Sequence, residues 1–297
     1  MNAQTSIRYP ATWEANLLVG VLLITLIIVA GILTFLFNLS VVFIVGQLLF
    51  ALPALLWIVI RRYPLQATFR LHPISARTAL WSVLIGLACW PVAAGASALL
   101  EMPFSLIGPP PQIPLPTNWG ESLAYAFTFI ILAPLTEEPI FRGFVLQAWL
   151  RRGPVVGIIA TSFLFSLMHA QIVPVLPITL LGIVLALLAY RSQSILSSIL
   201  AHAGFNSVAS VFVCLPALQG TEDIVFIIAG AVALPVAALL VWSYVRRNPP
   251  PSEGIPPRET SPWIWSILSS LVIFGLFGLM ALLEIVMRLN PALSQPK

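Results

Sequence analysis

The chain has 297 residues, of which 59% are hydrophobic and only 8% charged, with a mean hydropathy of +1.01 and a formal net charge of +4. A soluble domain carries roughly 25% charged residues, so a water-soluble globular protein is excluded and a chain that crosses a bilayer several times is implied. No basic cluster exceeds two adjacent arginines, which argues against nucleic acid as a partner. The two cysteines, Cys89 and Cys214, lie in apolar stretches without metal-ligand spacing and read as small buried hydrophobes.

Residues 1–13 form a polar lead. Apolar runs at 17–37, 41–60 and 80–100 are each long enough to span a hydrocarbon core and predict the first three spans. The first run is too long for a signal peptide, and no A-x-A cleavage site follows it. Between the second and third, residues 63–78 carry Arg70 and Arg77 among Leu, Phe and Pro, the pattern of an interfacial segment. Residues 103–116, with Pro109-Pro110-Pro111 at their centre, predict a loop.

A fourth, long element covers 119–150, where Pro134 and Pro139 bracket two carboxylates. A kink or restart is expected there, with Thr136 as the N-cap of the restarted helix. Further spans are predicted at 155–170, 173–190, 195–214, 224–245 and 263–287, the last with Glu284 near its outer end. Residues 249–262, rich in proline, read as a disordered linker. The expected fold is an all-α polytopic transmembrane bundle of about eight to nine spans. It divides into N-terminal spans and a Pro-rich external loop (1–118), a central core (119–215), and C-terminal spans with a linker (216–297).

Basic residues set the expected orientation. With the amino terminus cytoplasmic, Arg8, Arg61, Arg62, Arg70, Arg77, Arg151, Arg152, Arg191, Arg246, Arg247 and Arg258 fall inside. Only Arg288 and Lys297 fall outside, and Arg142 lies within the membrane. The expected location is the cell membrane, as a multi-pass protein.

The stretch Thr136-Glu137-Glu138-Pro139-Ile140-Phe141-Arg142-Gly143 places three charged groups where a membrane helix should carry none. Each would cost at least ~2.5–3.5 kcal/mol at the bilayer centre, so they must be paired or face a polar cavity. Glu138 and Arg142 are four apart and share a helix face, the spacing of an ion pair. Glu137 is rotated by about 100° and lacks that partner. The plain alternative is a structural ion pair that locks two helices, but it leaves Glu137 unexplained. Residues His169, His202 and Asn206 fall at comparable depths, roughly 12–21 Å along their helices, and His202 and Asn206 share one face. Taken singly, each histidine reads as a hydrogen-bonded structural residue; together these groups describe a polar site in lipid.

Elimination narrows the chemistry. The single aspartate, Asp223, is in a loop, so a paired-aspartate site is absent, and neither H-E-x-x-H nor G-x-S-x-G occurs. Ser166 and Ser207 lie near His169 and His202 in sequence, but at offsets unsuited to a serine–histidine dyad. What remains is a carboxylate and an imidazole that can take a proton from water, with donors for a developing oxyanion.

The series Glu137-Glu138-x-x-x-Arg142, Phe165-x-x-x-His169 and His202-x-x-x-Asn206 resembles, in order and spacing, the three motifs of the CPBP family. That family comprises the type II CAAX prenyl endopeptidases and the bacteriocin-processing or self-immunity (Abi-type) proteins. The resemblance covers about residues 119–215. It implies an intramembrane endopeptidase, customarily called a metalloprotease, acting on a membrane-anchored peptide or protein. By the same resemblance Glu137 and His169 hold the water, His202 and Asn206 hold the oxyanion, and Glu138 and Arg142 orient the site. Phe165 is expected to pack rather than react.

Zinc could in principle be held by Glu137, His169 and His202, with Glu138 left as the base. A carboxylate paired with arginine is a weak proton acceptor, and zinc would leave Asn206 without a task. The favoured expectation is therefore hydrolysis without a cofactor. Two other classes fit the composition. A transporter or proton relay also uses intramembrane Glu, His and Arg, but no repeat or second broken helix is visible. A non-catalytic scaffold would use the same cavity to bind a partner protein.

Overall fold

The structure is a computed structural model that describes residues 8–111 and 114–291. Residues 1–7 of the polar lead, Gln112 and Lys297 lie outside the described residues. The described chain is helical: α1 (Thr12–Leu36), α2 (Leu39–Ile60), the short α3 (Leu65–Phe69), α4 (Ala76–Ser105), α5 (Trp119–Phe127), α6 (Ala133–Glu138), α7 (Leu146–Leu150), α8 (Pro154–Leu167), α9 (Val175–Ser192), α10 (Ile195–Cys214), α11 (Asp223–Arg247) and α12 (Trp263–Leu289). Among the described residues, α1, α2, α4, α9, α10, α11 and α12 are long and apolar enough to cross a membrane. Their exposed faces carry Ile, Leu, Val and Phe, as helices in lipid do.

Residues 119–150 run as one helical rod through α5, α6 and α7, but the rod does not restart as its prolines suggested. Thr128–Leu132 and Pro139–Val145 are wound as π-helix, and the backbone stays right-handed helical through both junctions. Thr136 is therefore not an N-cap. Its hydroxyl back-bonds to the carbonyls of Leu132 and Ala133 at 2.8 and 3.1 Å, in mid-helix. The physical reason is that a wider turn accommodates a residue without an N–H at less cost than a break. Residues 155–170 were expected as a full span, but α8 is only 14 residues long and ends at Leu167, just short of His169.

The packing order puts α10 at the centre of the site. It packs on α4, on α9, on α6 and on the first π-helical turn, while α1 packs on α2 and α12. Glycines permit the close approach: a Cβ at Gly86 on α4 would collide with the backbone carbonyl of Ala201, and one at Gly204 on α10 would sit 2.8 Å from that of Val83. These contacts bracket His202.

One end of the bundle gathers nearly all the cations. Arg8 donates to the carbonyl of Arg61, Arg61 pairs with Glu14, and Arg151 reaches the carbonyls of Pro257 and Pro10 at 3.0 and 3.1 Å. Arg191 donates to the carbonyl of Asn248 at 3.1 Å. The segment 249–262 is accordingly not a disordered linker. It is non-helical, but Arg152 holds it through Glu259 (3.3 Å) and the carbonyl of Ser261 (2.8 Å), and Glu259 also accepts from the backbone of Thr12. Proline content mimicked disorder, whereas Arg70, Arg151 and Arg152 supply the anchors. At the opposite end Arg288 is buried between Glu101 and Glu284, and Glu284 accepts from the backbone of Ile172 at 2.8 Å.

Candidate active site

The site is built where the 119–150 rod crosses α2, α8 and α10. Glu138 and Arg142 are wholly buried and joined at 2.9 Å, the ion pair their spacing implied. The same carboxylate oxygen, Oε1, lies 2.8 Å from Nδ1 of His202, which is only 5% exposed. A carboxylate accepts, so His202 Nδ1 carries the hydrogen and Nε2 faces away from Glu138. A second guanidinium nitrogen of Arg142 reaches the carbonyl of Gly182 at 3.4 Å.

A ring holds this cluster together. The Arg142 guanidinium lies 4.3 Å from the centroid of Phe165, and the His169 and His202 rings meet Phe165 edge-on at 5.3 and 5.9 Å. Phe141 packs on the same ring at 5.1 Å. Phe165 is a packing residue in this arrangement, and it orients three of the polar groups through cation–π and edge contacts.

Glu137 and His169 are each more accessible than the buried Glu138–Arg142 pair. Glu137 is half-buried and His169 is exposed at the end of α8, whereas Glu138 and Arg142 have no exposure at all. Glu137 is within electrostatic reach of His202, Glu138 and Arg142, and His169 is within reach of His202 and Arg142. His169 Nδ1 points at the carbonyl of Phe165, one turn back, at 3.3 Å. That contact makes Nδ1 the donor and leaves Nε2 as an acceptor.

Sequence reasoning missed Gln47. From α2 its amide donates to Thr136 Oγ1 at 2.7 Å and to Glu137 Oε1 at 3.1 Å. It is a lone carboxamide in a run of Val, Phe, Ile and Leu, and that isolation was the available signal.

Asn206 has a task that sequence reasoning did not give it. In the first π-helical turn Ala133 N–H bonds to the carbonyl of Thr128. The next acceptor in that pattern is Phe129, whose donor would be residue 134, a proline with no N–H. Asn206 Nδ2 fills the vacancy, donating to the carbonyl of Phe129 at 2.7 Å. One amide hydrogen is thereby committed to the backbone, and the other remains for a ligand.

The serines are not partners of the histidines: Ser166 donates to the carbonyl of Phe163 and Ser207 to that of Gly204. Among the described residues no group of three or more His, Cys, Asp or Glu is placed to share a metal ion. His202 Nδ1 is taken by Glu138 and Glu137 Oε1 by Gln47.

A polytopic helical membrane protein with a Glu-Glu-Arg-His-His-Asn cluster between its helices is the class that fold and site define. Residues 119–208 match the family model described as type II CAAX prenyl endopeptidase Rce1-like, the stretch that carries the Glu-Glu-Arg-His-His-Asn cluster. The family is one of membrane-embedded proteases, that is, hydrolases. No curated protein and no solved structure matches the chain.

Proposed function

We propose that the protein is an intramembrane endopeptidase that cleaves a membrane-anchored peptide or protein with water activated by Glu137 and His169, without a metal ion. The observation that carries this reading is the difference in accessibility within the site. Glu138, Arg142 and His202 are buried and bonded to one another, while Glu137 and His169 are more accessible.

In this reading water sits between Glu137 and Nε2 of His169. Glu137 takes a proton as the water oxygen attacks the scissile carbonyl, and later delivers it to the leaving amine. The oxyanion accepts from the second amide hydrogen of Asn206 and from Nε2–H of His202. His202 already gives Nδ1–H to Glu138, so a donor role for Nε2 uses the ring with hydrogen on both nitrogens. Arg142 holds Glu138 in place. The catalytic set is then Glu137, His169, His202 and Asn206, with Glu138, Arg142 and Gln47 as positioning residues.

We read the cation-rich end of the bundle as cytoplasmic, with the amino terminus inside, and the membrane as the cell membrane. The family's description is that of a type II CAAX prenyl endopeptidase. For this chain the substrate class is the broader one, a peptide held at the membrane.

The test is a quantitative comparison of membrane peptides from cells carrying wild-type protein and Glu137→Ala. Specific membrane-bound precursors should accumulate uncut in the variant. Identical peptide profiles at equal protein levels would reject the reading.

A further inference from the structure

Apart from the active site, one charged group among the described residues is buried without a counter-charge. Arg70 follows α3 in the turn that leads to α4, with φ +45°, and is only 7% exposed. Its Nη2 donates to the carbonyl of Gly254, and its Nη1 has no hydrogen-bond partner. No carboxylate pairs with it among the described residues; the titratable groups within electrostatic reach are the phenols of Tyr9 and Tyr190. Burial pushes the guanidinium down to about 10, so it stays charged near neutrality. A buried cation without an anion is expensive, and in native proteins such a group is generally paired.

Arg70 lines a cavity of about 450 Å³ together with Tyr9, Gln66, His72, Gln193 and Gly254. The volume is within the roughly 300–1,000 Å³ of small-ligand sites. The wall is built, not accidental. The carbonyl of Arg70 accepts from Ile195 N at 3.3 Å, and the carbonyl of His72 accepts from Ser194 Oγ at 2.6 Å, so the turn is tied to the start of α10. Gly254 (φ +71°) closes the far side from the 249–262 segment.

We propose that this cavity is an anion site that takes the phosphate of a negatively charged phospholipid headgroup. One guanidinium with no carboxylate matches a monoanion, and the remaining lining residues supply further donors: the Tyr9 hydroxyl, the Gln66 amide and the His72 imidazole. The location selects a lipid as the source. The cavity opens at the cation-rich end of the bundle, on a segment whose Leu65 and Leu71 are 52% and 50% exposed beside it. Basic pockets at that level of a membrane protein hold anionic headgroups. Occupation would tie the N-terminal lead, the α3 turn and the 249–262 segment to the membrane surface at one point.

The test uses the full chain purified in a neutral detergent, with ligand binding followed by native mass spectrometry and thermal unfolding. The probes are short-chain phosphatidylglycerol, short-chain phosphatidylcholine and inorganic phosphate. Wild type should bind phosphatidylglycerol at least tenfold more tightly than phosphatidylcholine, and Arg70→Gln should lose that preference. Arg62→Gln, which removes an exposed neighbouring charge outside the cavity, should change the affinity by less than twofold. Should Arg70→Gln not fold, His72→Ala and Tyr9→Phe carry the comparison, each with an expected threefold or greater weakening. Equal binding of the two lipids by wild type, or undiminished preference in folded variants of the lining residues, overturns the site. Inorganic phosphate binding as tightly as phosphatidylglycerol would overturn the lipid as its source.

Discussion

His202 Nδ1 lies 2.8 Å from Glu138 Oε1, the same oxygen that Arg142 Nη1 reaches at 2.9 Å. One carboxylate oxygen thus ties an arginine on its own helix to a histidine on α10, and its partner oxygen, Oε2, is buried without a hydrogen bond. This one atom ties the rod to α10, as Asn206 does a second time through the Phe129 carbonyl.

Removal of the arginine should therefore be a folding defect before it is a catalytic one. Arg142→Ala strands Glu138 as a buried, uncompensated charge, a loss of roughly 3–5 kcal/mol. Thermal unfolding in detergent should show a much lower midpoint than wild type. A variant that is as stable as wild type and still active would show that Glu138 is not held by this pair.

Gln47 should act on rate and leave stability nearly untouched. Gln47→Leu removes the hydrogen bond to Glu137 Oε1, and a misplaced base typically costs up to about 10²-fold. The expected signature is a fall in kcat with KM little changed. Partial rescue by Gln47→Asn is not expected, because the shorter amide cannot span Thr136 and Glu137. A KM effect alone would place Gln47 in substrate binding.

Asn206 serves both backbone and oxyanion, and the two tasks have separate readouts. Asn206→Ala leaves the Phe129 carbonyl without a donor, at about 1–3 kcal/mol of stability. It should also lower kcat by roughly 10²–10³-fold, the scale for loss of one oxyanion donor. A loss of stability with kcat intact would confine Asn206 to its structural task.

Hydrolysis without a metal makes a further claim. Activity of the purified protein should survive exhaustive chelation, and elemental analysis should find no stoichiometric zinc. Activity abolished by chelation and restored by one equivalent of zinc would replace the mechanism with a metal-dependent one.

Much of this architecture was legible because the bilayer imposes a length and a composition. The residue ranges of α2, α10 and α11 follow from the apolar runs almost to the residue, since each run is closed by a polar residue or a cap: Asn38 caps α2 and Ser194 caps α10 through their side chains. The Glu138–Arg142 pair was legible from four-residue spacing alone. Three features were not. Proline in a helix signals disturbance without saying of what kind, so Pro134 and Pro139 suggested a restart at Thr136 where the chain widens into π-helix instead. Proline in a polar stretch resembles disorder, so the clamp of Arg152 on Glu259 was invisible. The partners of Gln47 and Asn206 lie 90 and 77 residues away in sequence, and no local pattern encodes such contacts.

The most direct test of the account is the single-turnover cleavage rate of a lipid-anchored peptide by purified wild type and by Glu137→Gln, with both proteins shown to unfold at the same temperature. Glutamine keeps the shape and the contact with Gln47 but cannot take a proton. The expected result is cleavage by wild type and a rate for Glu137→Gln at background, at least about 10²-fold lower, as for loss of a general base. Cleavage by Glu137→Gln within tenfold of wild type would contradict the assignment of Glu137 as the group that activates water.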